Sequence, residues 1–331
     1  MKLPSFAPLF LLSLLAGTAF GAATPARPRT EYEILRAIPA ERLRALMGDV
    51  PDAQGFIGTN RRAVIVGVVT DDLAYADNAW RGIDATFARQ RADGGFVAGE
   101  RPNGTSAKPF PAAIQTAFFF MQELGRAILV IRESPHEAHF HARIAELEPK
   151  MRRAMAFITS GYDTIIAGSS KAVNRIFIAA KAFGLCGLVL HDETLVATSR
   201  RLVTHGLTLR DQDGVFIEHG GRDSSYNVAS ILFGQVLALH LSLPELEAVL
   251  PAAVAWELTR IGPGGEVDVT GNTRTGVGKE KSYFGDPKAV NYGEVVQALT
   301  LYGLVHHDEA YLAAAEKVFA YGRALDKKAA K

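Results

Sequence analysis

Between positions 211 and 227 the chain reads DQDGVFIEHGGRDSSYN. One segment between two helical patterns thus gathers an imidazole (His219), a phenol (Tyr226), a guanidinium (Arg222) and several carboxylates, Glu218 among them. Groups of these kinds move protons and stabilise developing negative charge when they are held together. Gly220-Gly221 lets the backbone turn where a side chain would forbid it. Ser224 or Asp223 is placed to cap the apolar run that begins at Val228. Tyr226 then falls in the first turn of that helix, near its positive end, where a phenolate is favoured.

Two further polar islands interrupt the helical half of the chain: 168–175, with Asn174 and Arg175, and 270–276, with Arg274. Each of these side chains also has a structural reading. Asn174 can cap or bridge backbone, Arg274 can be a solvated loop arginine, and Tyr226 can pack at a helix start. His219 is harder to place in a core, because it stands beside two glycines rather than in an apolar run. There is no phosphate-cradling glycine motif and no G-x-S-x-G nucleophile elbow. His136, His139 and His141 lack a further ligand and supporting groups, so no metal site is expected.

The elements that must position these groups are helical. Amphipathic or apolar spacing marks 30–47, 73–89, 112–132, 137–160, 170–190, 193–209, 224–241, 244–260, 289–306 and 309–324. Segment 62–70 is apolar and β-branched, a strand or a buried helix by itself, and only 265–270 reads as a strand. About ten helices of roughly 15–20 residues with mostly short loops predict an all-α architecture. The turns Asp93-Gly94-Gly95-Phe96 and Asp213-Gly214-Val215-Phe216 share a signal. Alternating short and elaborate loops then point to an (α/α) toroid, an incomplete barrel of antiparallel helix hairpins with few short strands. A helical bundle or a solenoid of helix pairs is the alternative.

Near the start of the 331-residue chain stand Lys2, an apolar run over 6–15 and Ala19-Phe20-Gly21-Ala22-Ala23. This reads as a secretory signal peptide over 1–23, with an N-terminal anchor as the alternative. The remainder, 24–331, is expected to form a single exported domain, periplasmic or secreted. No later run is expected to span a bilayer. The single cysteine, Cys186, lies in an apolar run, excludes an intramolecular disulfide and reads as a buried inert thiol. A net charge of +1 with interspersed signs argues against a nucleic-acid partner, so any anionic ligand must meet a local basic site.

The polar islands stand in an order that resembles the helical catalytic domain of the hyaluronate, chondroitin AC and xanthan lyase family. That family has an Asn-Arg pair at a helix start, a D-G-S-F/Y-x-x-H segment, a tyrosine shortly after, and a loop with glycine and arginine. The corresponding residues are Asn174-Arg175, the segment from Asp213 to His219, Tyr226, and Gly271-Asn272-Thr273-Arg274, all within 171–275. Val215 replaces the family's serine, Arg222-Asp223-Ser224-Ser225 departs from its usual residues, and its β-sandwich domains have no counterpart. A related Tyr/His α-toroid lyase fits the same residues.

The resemblance implies a polysaccharide lyase that cleaves a uronic-acid-containing polysaccharide by β-elimination, without metal or organic cofactor. It implies catalytic roles for Tyr226, His219, Asn174 and Arg274. Arg175, Arg222, Trp80, Lys279 and Tyr283 would bind the anionic chain, although Trp80 also has the setting of a core residue. No membrane partner is expected after signal cleavage.

β-Elimination requires removal of the C5 proton beside the uronate carboxylate, whose neutralisation is the largest task. Asn174, aided by His219, can donate to that carboxylate. Tyr226 can serve as base, as acid to the bridging oxygen, or as both, while His219 is the base if the proton lies on the opposite face. An ordinary phenol has a pKa near 10, so a phenolate at Tyr226 would need Arg222, Arg274 or a protonated His219 nearby. Two other classes remain open: a toroid glycoside hydrolase using Asp213, Glu218 or Asp223, and a non-catalytic glycan-binding protein.

Overall fold

The computed structural model describes residues 29–48, 61–96, 109–278, 280–281, 285 and 287–329. The expected signal peptide (1–23), the loop 97–108, Lys279 and Tyr283 lie outside the described residues. The chain is all-α. In order come α1 (Glu31–Leu35), α2 (Ala40–Leu43), a π turn (Arg44–Gly48), α3 (Arg61–Val69) and α4 (Leu73–Phe87). Next are α5 (Pro109–Glu133), α6 (Glu137–Ser160), α7 (Tyr162–Ser169), α8 (Val173–Leu190) and α9 (Glu193–Leu207). The last are α10 (Ser224–His240), α11 (Pro244–Glu247), α12 (Leu250–Thr259), α13 (Tyr292–His306) and α14 (Glu309–Ala329).

Helices linked by short turns fold back on one another: α3 on α4, α5 on α6, α8 on α9, α10 on α11 and α12, and α13 on α14. The leading helix of each pair packs on the next leading helix, in the series α3, α5, α8, α10, α13. The π turn touches both ends of that series, α3 and α13. α5 and α8 are long and apolar enough to cross a membrane by length and composition, which corrects the expectation that no later run would be. Most of each is buried inside the protein, because apolar residues surround these leading helices on nearly every side.

Several element boundaries move for local reasons. Pro39 interrupts the pattern over 30–47, and Thr30 and Glu33 form a reciprocal capping box on α1. The pattern over 244–260 splits at Ala248-Val249, because Pro251 has no N–H to donate to the carbonyl four residues back and fits only the first turn of a new helix. The segment 62–70 is a buried helix.

The predicted strand at 265–270 does not form, and the described residues hold only isolated bridges. What forms instead is a third copy of the shared turn. Gly94, Gly214 and Gly265 adopt φ of 89°, 85° and 91° after α4, α9 and α12, and bridges Gln90–Phe96, Arg210–Phe216 and Ile261–Val267 close the three turns. In the third copy valine replaces the aromatic, so its relation to the other two was invisible in sequence. A Cβ on Gly265 would lie 2.1 Å from the Lys317 carbonyl oxygen of α14, and one on Gly94 would lie 2.1 Å from the Arg153 carbonyl oxygen of α6. Each of these glycines seats its turn against a neighbouring helix. Gly265→Ala is expected to cost about 2 kcal/mol in chemical denaturation through strain and collision.

The interior carries charge as well as apolar surface. Arg126 of α5 sits 2.6 Å from Glu31 and within reach of Glu123, and Glu123 takes a 2.8 Å bond from Lys181 of α8. His240 of α10 meets Glu31 at 2.8 Å and Glu133 at 3.3 Å through its two ring nitrogens. Both nitrogens must donate, which defines an imidazolium. Burial opposes that charge, yet the bonds to Glu133 and Glu31 raise the His240 pKa to about 9. Burial likewise opposes ionisation of Glu31, but Arg126 and His240 hold its carboxyl down at about 2.

The linkage has a definite sign. The His240 contribution, on the order of 3 kcal/mol, is full below its ordinary pKa of 6.5 and is lost as pH rises through about 9. The Glu31 contribution is full above 4.5 and is lost as pH falls through about 2. Urea denaturation should therefore show greatest stability between pH 4.5 and 6.5, and His240→Gln should flatten the alkaline decline.

Candidate functional site

The three polar islands converge at the N-terminal ends of α8 and α10. Residues 170–172 leave the helical course expected for 170–190: Ala172 becomes extended, with φ −141°, and bridges Glu218. The His219 amide donates to the Lys171 carbonyl at 2.7 Å. This pairing delays the start of α8 to Val173 and puts Asn174 in its first turn, next to the imidazole-bearing loop. From the other side, Thr273 Oγ1 donates to the Glu218 carbonyl at 2.7 Å and the Thr273 amide to the Arg222 carbonyl at 3.1 Å.

Asp223 ties the second and third islands together. Its Oδ1 caps α10 by accepting from the Tyr226 amide at 3.3 Å, and its Oδ2 accepts from the Arg274 and Thr275 amides at 2.9 and 2.7 Å. The carboxylate is fully buried. Asn272 completes the joint, its Oδ1 accepting from the Ser224 amide at 3.1 Å and its Nδ2 donating to the Thr275 carbonyl at 3.3 Å.

On this frame the candidate side chains meet. The Arg274 guanidinium lies 4.5 Å from the centre of the Tyr226 ring and Lys288 Nζ lies 4.9 Å from it. Arg274 bonds Glu218 through Nη1 and Glu280 through Nη2 at 2.8 Å, and Lys288 bonds the same Glu280 oxygen, Oε2, at 3.0 Å. Glu218 is buried, its Oε2 has no partner among the described residues, and His219 Nε2 stands 3.8 Å from its Oε1. Asn174 turns Oδ1 inward, also without a partner among the described residues. His219 itself adopts a left-handed φ of 52°, which its neighbours Gly220 and Gly221 allow the chain to leave at once.

The electrostatics of the cluster are set by burial. Burial pushes the Tyr226 phenol well above its ordinary range against the pull of Arg274, so the ring is a neutral phenol. Of the two protonation states left open by the sequence, burial favours the phenol, and Glu218, Asp223 and Glu280 offset the pull of Arg274. Burial and then Arg274 lower the His219 pKa, which leaves a neutral imidazole with its side chain 43 % exposed. Burial lifts Glu218 to about 7 against Arg274. Hydrogen bonds from Arg274 and Lys288 hold Glu280 at about 2.

Asn174, Arg175, His219, Tyr226 and Arg274 are thus brought into one region, with Arg175 close enough to influence both Glu218 and His219. Other candidates are not. Trp80 is 1 % exposed and packs on Phe140 with ring centres 5.3 Å apart, so it is core rather than a sugar platform. Arg222 is engaged by Asp211 and Asp213 and stacks 5.7 Å from Trp256, which makes it a lock on the Gly214 turn rather than a free anion-binding cation. His136 and His139 pair with Asp71 and Asp77 at 2.8 and 2.9 Å and join α6 to the α3–α4 hairpin. Cys186 is buried with its thiol pKa raised by that burial.

The sequence reading missed Glu280 and Lys288. They reach Arg274 only because the intervening loop closes on itself, with Gly276 donating to the Lys288 carbonyl and Lys288 to the Glu280 carbonyl, each at 3.0 Å. Their one sequence signal was the run of charges after Arg274, in which only Lys279 reads as a group that binds an anionic chain. Comparisons with protein-family models, curated proteins and solved structures find no match to the chain.

Because three N–H donors share the Asp223 carboxylate, Asp223→Ala strands buried donors and removes a helix cap. The expected loss is about 3 kcal/mol in denaturant titrations. The same change should collapse any activity of the site, through displacement of Tyr226 and Arg274 together.

Proposed function

We propose that the protein is an exported polysaccharide lyase of the α-toroid kind that cleaves a uronic-acid-containing chain by β-elimination. The observation that carries this reading is the convergence of an amide, a neutral imidazole and a neutral phenol beside guanidinium and ammonium groups, at the positive ends of two core helices. The serial packing of leading helices α3, α5, α8, α10 and α13, each backed by its partner, supports a toroid arrangement for the scaffold.

In the proposed reaction, Asn174 and the cations of the site receive the uronate carboxylate, which makes the C5 proton removable. The neutral, exposed His219 takes that proton, and the electron pair passes into the carboxylate as an aci-carboxylate. The pair then returns to form the C4–C5 double bond as the C4–O bond breaks. Tyr226, held as a phenol, gives its proton to the departing oxygen. The resting protonation states support this division of labour over a Tyr226 phenolate acting as base.

A hydrolase is the second reading, favoured by Glu218, whose pKa of about 7 suits a general acid. It needs a second free carboxylate. Asp223 gives both oxygens to backbone amides, Glu280 is clamped by Arg274 and Lys288, and Asp213 is paired with Arg222.

Incubation with alginate, glucuronan, hyaluronan, pectate and xanthan-type polymers should yield an ultraviolet-absorbing unsaturated end on one of them. New reducing ends without that absorbance would establish hydrolysis instead. Tyr226→Phe should abolish turnover while leaving circular dichroism unchanged; an active variant would sink the mechanism. With His219 as base, the acid limb of kcat/KM should lie below pH 6.5.

A further inference from the structure

Glu280 sits oddly for a residue outside the fold's core. Its carboxylate takes bonds from Arg274 Nε to both oxygens, at 3.1 and 3.0 Å, from Arg274 Nη2 at 2.8 Å and from Lys288 Nζ at 3.0 Å. Two cations thus converge on one carboxylate directly beside the Tyr226 ring. The two cations are well anchored, since Arg274 is 8 % exposed and Lys288 19 % by side chain, whereas the Glu280 side chain is 35 % exposed. Arg274 is further secured by Glu218 and by its backbone bond to Asp223, and neither contact requires Glu280. The loop that presents Glu280 has left-handed glycines at 276, 278 and 285, positions where the backbone has more freedom than any other residue would allow.

We propose that Glu280 is an internal stand-in for the substrate: its carboxylate occupies the subsite that takes the uronate carboxylate, and an incoming acidic sugar displaces it from Arg274 and Lys288. The assignment rests on the lyase reading for the purpose of the displacement and on the geometry alone for the existence of a carboxylate subsite. Two cations and a planar anion acceptor are the chemistry a uronate requires, and a neutral sugar offers nothing to replace the lost ion pairs. Displacement also removes the negative charge of Glu280 from the neighbourhood of the Tyr226 phenol and substitutes the substrate's own. Glu280 acts as a gatekeeper for acidic sugars and Lys288 as a determinant of that specificity; neither carries the proton transfers.

The test is calorimetric binding of D-glucuronate, with its methyl ester as the uncharged control, to the full chain and to Glu280→Gln. A competitor docked nine-tenths of the time or more lowers apparent affinity about tenfold. Glu280→Gln should therefore tighten glucuronate about tenfold or more and leave the ester unchanged. In turnover the same variant should lower KM more than it changes kcat. Lys288→Met, which leaves Arg274 in place, should weaken glucuronate selectively, and circular dichroism of both variants checks that they fold. Unchanged or weaker glucuronate binding in Glu280→Gln, equal tightening of acid and ester, or no binding to any form would overturn the proposal. Tightening without an unsaturated product would keep the subsite and reject the lyase reading, whereas unsaturated product without tightening would do the reverse.

Discussion

A buried carboxylate without an ion-pair partner is costly unless backbone donors surround it, and Asp223, which has no such partner among the described residues, meets that condition with three amides from two separate segments. One amide starts α10; the other two belong to the loop that carries Arg274. The single interaction therefore fixes the distance between the phenol of Tyr226 and the guanidinium above it. It also turns the Asp223 side chain, an obvious acid by composition, into part of the scaffold. In the proposed reaction the proton transfers fall to Tyr226, whose helix start Asp223 caps, and to His219, held by the Lys171 carbonyl.

The charges that surround Tyr226 illustrate how little a list of residue types says about protonation. Two cations touch the ring face, which in isolation would favour a phenolate. Three carboxylates stand close behind them, and burial penalises an added negative charge further. The balance leaves Tyr226 a phenol able to donate, while burial and Arg274 keep the His219 imidazole neutral and able to accept.

The scaffold separates two polar tasks along the same helices. Near the N-terminal ends of α8 and α10 lie the groups with unspent bonding capacity, such as Asn174 Oδ1 and Glu218 Oε2. In the middle of α5 and α8 and at the far end of α10, Arg126, Lys181 and His240 are matched by Glu31, Glu123 and Glu133. Matched buried ions add little net stability but are expensive to break, and here they tie α1, α5, α8 and α10 into one register. That register aligns the helix starts from which the site is built.

Periodicity made the helices readable, because apolar residues every three or four positions can be buried in only one way; α6 and the course of α8 through α10 follow from it directly. The polar islands were equally legible, since His219 beside two glycines and Asp223 ahead of an apolar run have few other uses. Sequence could not show that 170–172 would leave the helix to pair with the Glu218 segment, or that 265–270 would be a third glycine turn rather than a strand. Both follow from contacts between distant segments that outweigh local propensity. Arg222 as a lock and the Glu280–Lys288 clamp belong to the same class, each decided by what happened to face it, whereas the core setting of Trp80 was already legible in its helical spacing. The sequence by itself thus determined the helices, their caps and the inventory of reactive groups. The tertiary structure decided which of those groups meet and which carry a proton, because burial and neighbouring charge, which set both, exist only once the chain has folded.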